Sequence, residues 1–268
     1  LIVFVIAESL LQYGTLHNAY TNNLTPSEML DWREWFSAGS SIDRVQGFIT
    51  PRSVRAVRSI LAHQDQASIG GSIAEIGTFR GKTFIGLAAA TREGERVVGI
   101  DIFPDDVQKS LIDSAKEFLS EDQLKRIVLA KRDSSSLEFW EWAKLIGEKA
   151  RFVHVDGNHT NLAVRYDIML AASHISKGGI VLIDDFLHDW YPDVTEGIID
   201  ALKVIPNIAP VAVIPRSGKL LNGGTKLLCV ERSSIEDYRS LMVSEFSELR
   251  PRRIMLAGAA VTTFMNAD

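Results

Sequence analysis

Ser72-Ile73-Ala74-Glu75-Ile76-Gly77-Thr78-Phe79-Arg80-Gly81-Lys82-Thr83 decides how this chain is read. An apolar run closes on an acid, two glycines follow four residues apart, and an apolar helical run opens at Phe84. That order spells strand, tight turn, helix. Glycine lets the backbone approach a ligand with no Cβ in the way, and a helix start offers free N–H groups to an anion. Glu75, at the carboxyl end of the strand, is positioned to touch a polar or cationic part of the same ligand, at the edge where open α/β sheets bind.

Downstream, short apolar runs alternate with amphipathic stretches. Strands are expected at 73–76, 97–101, 127–130, 151–156 and 180–184, and helices near 82–92, 105–119, 136–147 and 160–175. Val107, Leu111, Ala115, Phe118 and Leu119 form one helical stripe, and Val164, Ile168, Ala171 and Ile175 another. This alternation implies a parallel sheet covered on both faces, with right-handed crossovers bringing the strand ends to one edge. Gly178-Gly179 reads as the helix-stop turn before the fifth strand. Asp193 to Glu196 reads as a capping pattern for a helix to Leu202, and Ser233 with Glu236 caps a later one. Val211–Ile214 and Lys226–Val230 read as an antiparallel pair, and the tail from Ile254 to Phe264 fits strand and helix equally.

Upstream, residues 1–65 read as helical. Thr25-Pro26-Ser27-Glu28 is a capping box, Met29, Trp32, Trp35 and Phe36 share a helical face, and Thr50-Pro51 opens a helix that buries Val54, Val57 and Leu61. Arg52, Arg55 and Arg58 would form its solvated side. The apolar start, Leu1 to Ile6, is broken by Glu8 and Gln12, short of the ~20 residues a membrane span needs. It has no basic leader, and a docked helix or self-association contact is expected instead. The chain begins without methionine, as a sequence lacking its native start would. The expected fold is therefore α/β: a doubly wound, mostly parallel, seven-stranded Rossmann-like sheet with an antiparallel last strand, plus N-terminal helices. Residues 1–68 would form a helical lid or oligomer contact, and 69–268 the ligand-binding domain.

The bulk composition fits that plan. The 268 residues are 46% hydrophobic, enough for one large core. A net charge of −5 argues against broad nucleic-acid binding. The single cysteine, Cys229, lies in an apolar run and reads as a buried strand residue. Without a disulfide framework a cytoplasmic location is expected.

Acids close four of the strands: Glu75, Asp101, Asp156 and the pair Asp184-Asp185. A single one would read as a loop cap, but clustered carboxylates repel unless a cation is present. Asp101, after the strand that follows the glycine turn, is placed to accept ribose hydroxyls, and Asp133-Ser134 to meet an adenine edge. Asp156, Asp184 and Asp185 remain; three oxygen ligands suit a hard divalent ion, Mg²⁺ foremost. His159, three residues past Asp156, is a candidate general base. His154 is mid-strand and reads as structural; His188 lines a mouth or faces solvent.

The ordered set Glu75-x-Gly77-x-x-x-Gly81-x-Thr83, Asp101, Asp156-Gly-x-His159 and Gly178-Gly179-x-x-x-x-Asp184-Asp185 resembles class I S-adenosylmethionine-dependent methyltransferases. More narrowly it resembles the Mg²⁺-dependent O-methyltransferases, among them catechol O-methyltransferase and the macrolide-sugar enzymes, over about residues 45–231. The resemblance implies S-adenosylmethionine as cofactor, with Gly77 and Gly81 against its methionine part, Thr83 at its carboxylate, and Glu75, Thr78 and Phe79 also among the cofactor-binding residues. It implies Asp101 on the ribose, Ile102 beside the adenine, and Asp133 and Ser134 at the adenine edge. Asp156, Asp184 and Asp185 would hold Mg²⁺, and His159 would stand where the sugar enzymes carry a histidine. Phe79 stands where many members have a third glycine.

On this reading a small-molecule hydroxyl, of a secondary metabolite or its sugar, is deprotonated by His159 and attacks the sulfonium methyl in line. His188, Trp190 and Tyr191 are candidates for the acceptor wall. A nicotinamide oxidoreductase would carry Gly-x-Gly-x-x-Gly, which residues 77–82 lack. A cofactor-binding protein without turnover, or a metal-assisted enzyme of hydroxylase type, would use the same fold.

Overall fold

The computed structural model describes residues 3–5, 29–37, 39–219 and 223–266. Its strands are β1 (Val3–Val5), β2 (Ser72–Ile76), β3 (Val97–Asp101), β4 (Ile127–Lys131), β5 (Ala150–Val155), β6 (Ile175–Phe186), β7 (Ile208–Ile214), β8 (Thr225–Glu231), β9 (Leu249–Leu256) and β10 (Ala259–Asn266). The helices are α1 (Trp32–Trp35), α2 (Pro51–Gln66), α3 (Lys82–Ala89), α4 (Asp105–Phe118), α5 (Glu121–Leu124), α6 (Phe139–Ile146), α7 (Asn161–Ser173), α8 (Pro192–Val204) and α9 (Ile235–Glu245).

All ten strands form one sheet in the order β1-β4-β3-β2-β5-β6-β8-β7-β10-β9. The ladders from β1 to β6 are parallel, and β8 runs antiparallel to both β6 and β7. The sequential order reverses between β2 and β5, so the crevice of the sheet opens above those two carboxyl ends. Side chains alternate across a strand. Ile73, Phe152, Ile180, Leu182, Leu228 and Val230 therefore pack on one face, with residues of α2, α3, α4 and α9. Ala74, Val153, Val181, Leu227 and Cys229 pack on the other, with α6, α7 and α8. Two apolar layers on a parallel centre make the doubly wound arrangement.

Several elements differ from the sequence reading. Among the described residues the sheet has ten strands rather than seven: β1 adds a three-residue edge and β9–β10 a hairpin. The apolar start is thus not helical at Val3–Val5 but pairs in parallel with β4. The β9–β10 hairpin resolves the ambiguous tail as strand; Ala257 and Gly258, both at positive φ, make its turn. Gly178-Gly179 lies inside β6, which starts at Ile175, beside a register shift against β5. Helix α8 begins at Pro192 because proline suits a first helical position; Asp193 instead accepts the Asn161 N–H of α7. Helix α9 starts at Ile235, with Ser234 rather than Ser233 at its N-cap. Trp32, Trp35 and Phe36 are buried, but Met29 is exposed. Arg55 is not simply solvated: its guanidinium reaches Glu245 and Glu248 beside α9, at 2.8 and 2.6 Å. The capping box at Thr25–Glu28 lies outside the described residues. Among the described residues no helix is long and apolar enough to cross a membrane.

Candidate active site

One cavity of ≈ 430 Å³ opens at the carboxyl ends of β2, β3 and β5. That is the size of a small-molecule or cofactor site. Glu75, Gly77, Thr78, Phe79, Thr83, Asp101, Ile102, Asp133, Ser134, Asp156 and His159 line it. Gly81 stands behind, the N-cap of α3 at φ 88°, packed on Leu111. Asp184 and Asp185 are buried at the end of β6, next to Asp156 rather than in the cavity wall.

The glycine turn is shaped by close approach. A Cβ on Gly77, at φ +86°, would meet the Asp156 carbonyl oxygen at 1.7 Å, so only glycine lets β2 and β5 end side by side. Asp101 braces the turn from β3: Oδ2 accepts the Phe79 N–H at 2.8 Å and Oδ1 the Phe103 N–H at 3.0 Å. Each oxygen keeps a further lone pair for a ligand hydroxyl. Asp133 is committed to its own turn, accepting the Ser135 N–H and hydroxyl at 2.9 and 2.7 Å. Ser134 stays buried at the cavity. Phe48, stacked on Phe79 with centroids 6.3 Å apart, lines the cavity from the N-terminal side.

Below this turn lies a polar row that the sequence reading did not assemble. Glu75, His154, Asp184 and Lys226 sit one alternation beyond Ile73, Phe152, Leu182 and Leu228, on the same face of four strands. His154 Nδ1 is 2.8 Å from Glu75 Oε1, and His154 Nε2 is 3.1 Å from Lys226 Nζ. Lys226 in turn donates to Asp184 Oδ2. Because the ammonium only donates, Nε2 accepts and Nδ1 carries the proton towards Glu75. Burial, then the Lys226 charge, pushes His154 down to about 3, so the ring is neutral. Burial and the neighbouring Asp156 raise Glu75 well above the carboxylate range. Among the described residues its Oε2 has no hydrogen-bond partner. Burial disfavours the Lys226 charge, but Asp184 and Asp156 outweigh it and hold its pKa above the ordinary value.

The second cluster faces outward from that row. His159 Nε2 is 3.0 Å from Asp185 Oδ2 and 3.7 Å from Asp156 Oδ1. Asp156 and Asp185, in that order, raise His159 to about 10. Burial and then Asp184 push Asp156 up to about 7. Burial alone would raise Asp185, but His159 overcomes it and lowers its pKa. Tyr191 stacks between two imidazoles, 4.4 Å from the His159 centroid and 4.9 Å from that of His188. His188 is buried, not solvent-facing, and its Nδ1 accepts the Trp190 N–H at 3.1 Å. His188, Trp190 and Tyr191 do not line the cavity; they form a rim beyond His159, with Trp190 exposed.

Residues 74–186 match the family model described as a methyltransferase domain. This match covers less than half of the 268-residue chain. The sheet extends beyond those bounds on both sides. An O-methyltransferase from Bacillus cereus, solved with SAH, superposes with a TM-score of 0.53 at 17% identity, over 71% of this chain and 86% of that one. The O-methyltransferase TomG from Streptomyces achromogenes, solved with SAM, gives 0.53 at 17%, over 74% and 89%. A putative O-methyltransferase from Klebsiella pneumoniae gives 0.52 at 15%, over 73% and 91%. A search of curated proteins found no match. The resemblance drawn from the motifs thus holds for the class I methyltransferase fold. Around the cavity the sequence reading missed Gly47, Phe48, Lys82, Arg132, Gly157 and Asn158 as wall, and Lys226 as part of the carboxylate cluster. Lys226 did leave a signal. It is a charge heading an apolar strand, in phase with Leu228 and Val230, just as the acids close theirs.

Proposed function

We propose that this chain transfers a methyl group from S-adenosylmethionine to a hydroxyl of a small molecule, with Mg²⁺ as the assisting ion. The observation that carries the reading is a single cavity walled on one side by the glycine turn, Glu75 and Asp101 and on the other by Asp156 and His159. Donor and acceptor chemistry would meet within it.

The residues fit the cofactor. Glu75 Oε2 is a buried oxygen without a partner, suited to the ammonium of an amino-acid moiety. The free lone pairs of Asp101 suit vicinal ribose hydroxyls, while Ile102 and Ser134 suit an adenine face and edge. Thr83, in the first turn of α3, suits the carboxylate.

The fit to a divalent ion runs through Asp156 and Asp185. Carboxylate oxygens of both, with a nitrogen of His159, lie within 4.8 Å of one another. Asp184 would support them from below. Bound there, Mg²⁺ would supply charge that lowers the pKa of an acceptor hydroxyl. His159, oriented by Asp185 and by the Tyr191 ring, is the group placed to take that proton when its ring is neutral. Phe48 and Phe79 would exclude water from the reacting atoms, and the rim of His188, Trp190 and Tyr191 would select the acceptor.

The reading is tested by incubating the protein with S-adenosylmethionine, Mg²⁺ and a panel of hydroxylated natural products, with and without EDTA. Mass spectrometry should find a methyl ether whose formation EDTA abolishes. Turnover indifferent to chelator would remove the ion from the account, and methylation confined to nitrogen or carbon would remove the hydroxyl.

A further inference from the structure

Lys226 is an unexpected charge to find beneath a carboxylate cluster. It is fully enclosed, on β8, with Nζ held by Asp184 Oδ2 and, at 3.1 Å, by His154 Nε2. The other Asp184 oxygen, Oδ1, accepts the Asp185 N–H at 2.8 Å. Both oxygens of Asp184 are therefore engaged within the protein. Asp156 is different: among the described residues its nearest cation is His159, at 3.7 Å. Of three acids that look equivalent in the sequence, Asp184 is held by a buried lysine, whereas Asp185 pairs with the more exposed His159 at 3.0 Å.

We propose that Lys226 is a built-in counter-cation of the carboxylate cluster, which by holding Asp184 competes with a divalent ion for that side chain and sets how tightly the ion binds. This rests on the ion-assisted reading above. The ammonium cannot simply swing aside. Leaving its place would strip His154 Nε2 of its donor, and His154 is itself fixed by Glu75 at 2.8 Å. A buried acceptor without a partner costs free energy, so the position of Lys226 is over-determined. Like charges close together in a buried site repel strongly, and Lys226 would hold down affinity for any cation placed against Asp156 and Asp185. It would also let the protein fold with no ion present, by offsetting the repulsion among the acids. Lys226 is thus a positioning residue, acting on the ion through Asp184.

The test is Mn²⁺ binding to the full chain, followed by the loss of the free-ion electron paramagnetic resonance signal, alongside melting temperature with and without Mn²⁺. Lys226→Met should bind Mn²⁺ about tenfold or more tightly than wild type and depend on it more for thermal stability, whereas Lys226→Arg should stay within about threefold. A purely structural lysine would not move ion affinity upward. If Lys226→Met folds only when Mn²⁺ is present, that too supports the proposal. The double variant Asp184→Asn/Lys226→Met removes the pair without changing net charge, and should bind Mn²⁺ within about threefold of wild type. Equal binding by folded Lys226→Met and wild type, or about a tenfold loss in the double variant, overturns the proposal while leaving the ion-assisted reading intact. Absence of Mn²⁺ binding in wild type and all variants overturns the ion-assisted reading and this proposal together.

Discussion

The two walls of the cavity are built by different means. The wall proposed for the cofactor is local: β2, the glycine turn and the start of α3 follow one another within residues 72–83, and Asp101 reaches them from the next strand. The side proposed for the acceptor is assembled from distant parts of the chain. Asp156 and His159 follow β5 and line the cavity, while Asp184 and Asp185, at the end of β6, and Lys226, from β8, lie behind them. The first wall is rigid because its geometry is steric. The second is a balance of charges, and its behaviour depends on what neutralises what.

That contrast can be broken most forcefully at Gly77. Gly77→Val should abolish cofactor binding and cost roughly 2–5 kcal/mol of stability in chemical denaturation, from overpacking and a positive φ together. On the other wall, His159→Ala should lower kcat by about 10²–10⁴-fold while cofactor Kd stays nearly unchanged, read by steady-state kinetics and calorimetry. Asp101→Ala should weaken cofactor binding by about 10–100-fold, the loss of charge-assisted hydrogen bonds, with the sheet intact by circular dichroism.

The charge balance predicts a pH effect of definite sign. The folded-state pKa of Asp156 is raised to about 7, above its ordinary value of 3.8. Its contribution to stability is therefore fully present below the unfolded value and lost as pH rises through about 7. Asp156→Asn should raise the melting temperature at pH above that range, in EDTA, and the gain should vanish in acid. His159, raised to about 10, stabilises the fold fully below its ordinary 6.5 and loses that contribution as pH climbs to about 10. The smallest effect is expected at the exposed rim: Trp190→Ala should change stability by no more than about 0.5 kcal/mol, altering acceptor KM alone.

What could be read from the sequence follows the same division. The central strands and helices were legible because their apolar periods are strong and local; Val107, Leu111 and Ala115 are buried as their stripe requires. The glycine turn was legible because residue types there are forced by sterics. The β9–β10 hairpin was not, because Arg250, Arg252 and Arg253 interrupt the alternation of an exposed edge. Helix boundaries at Pro192 and Ser234 slipped because several residues could cap and only tertiary contacts choose among them. On the acceptor wall the acids were visible one by one, but their partners were not. Nothing in the spacing of Asp184 and Lys226 says that β8 lies antiparallel beside β6, and without that pairing the lysine is one charge among many.

The central claim is that one cavity binds the methyl donor on its steric wall independently of its charged wall. Isothermal titration with S-adenosylmethionine measures this directly. Wild type and His159→Ala should each bind one equivalent with similar affinity, and Gly77→Val should bind none. Failure of the wild-type protein to bind S-adenosylmethionine, or undiminished binding by Gly77→Val, would contradict it.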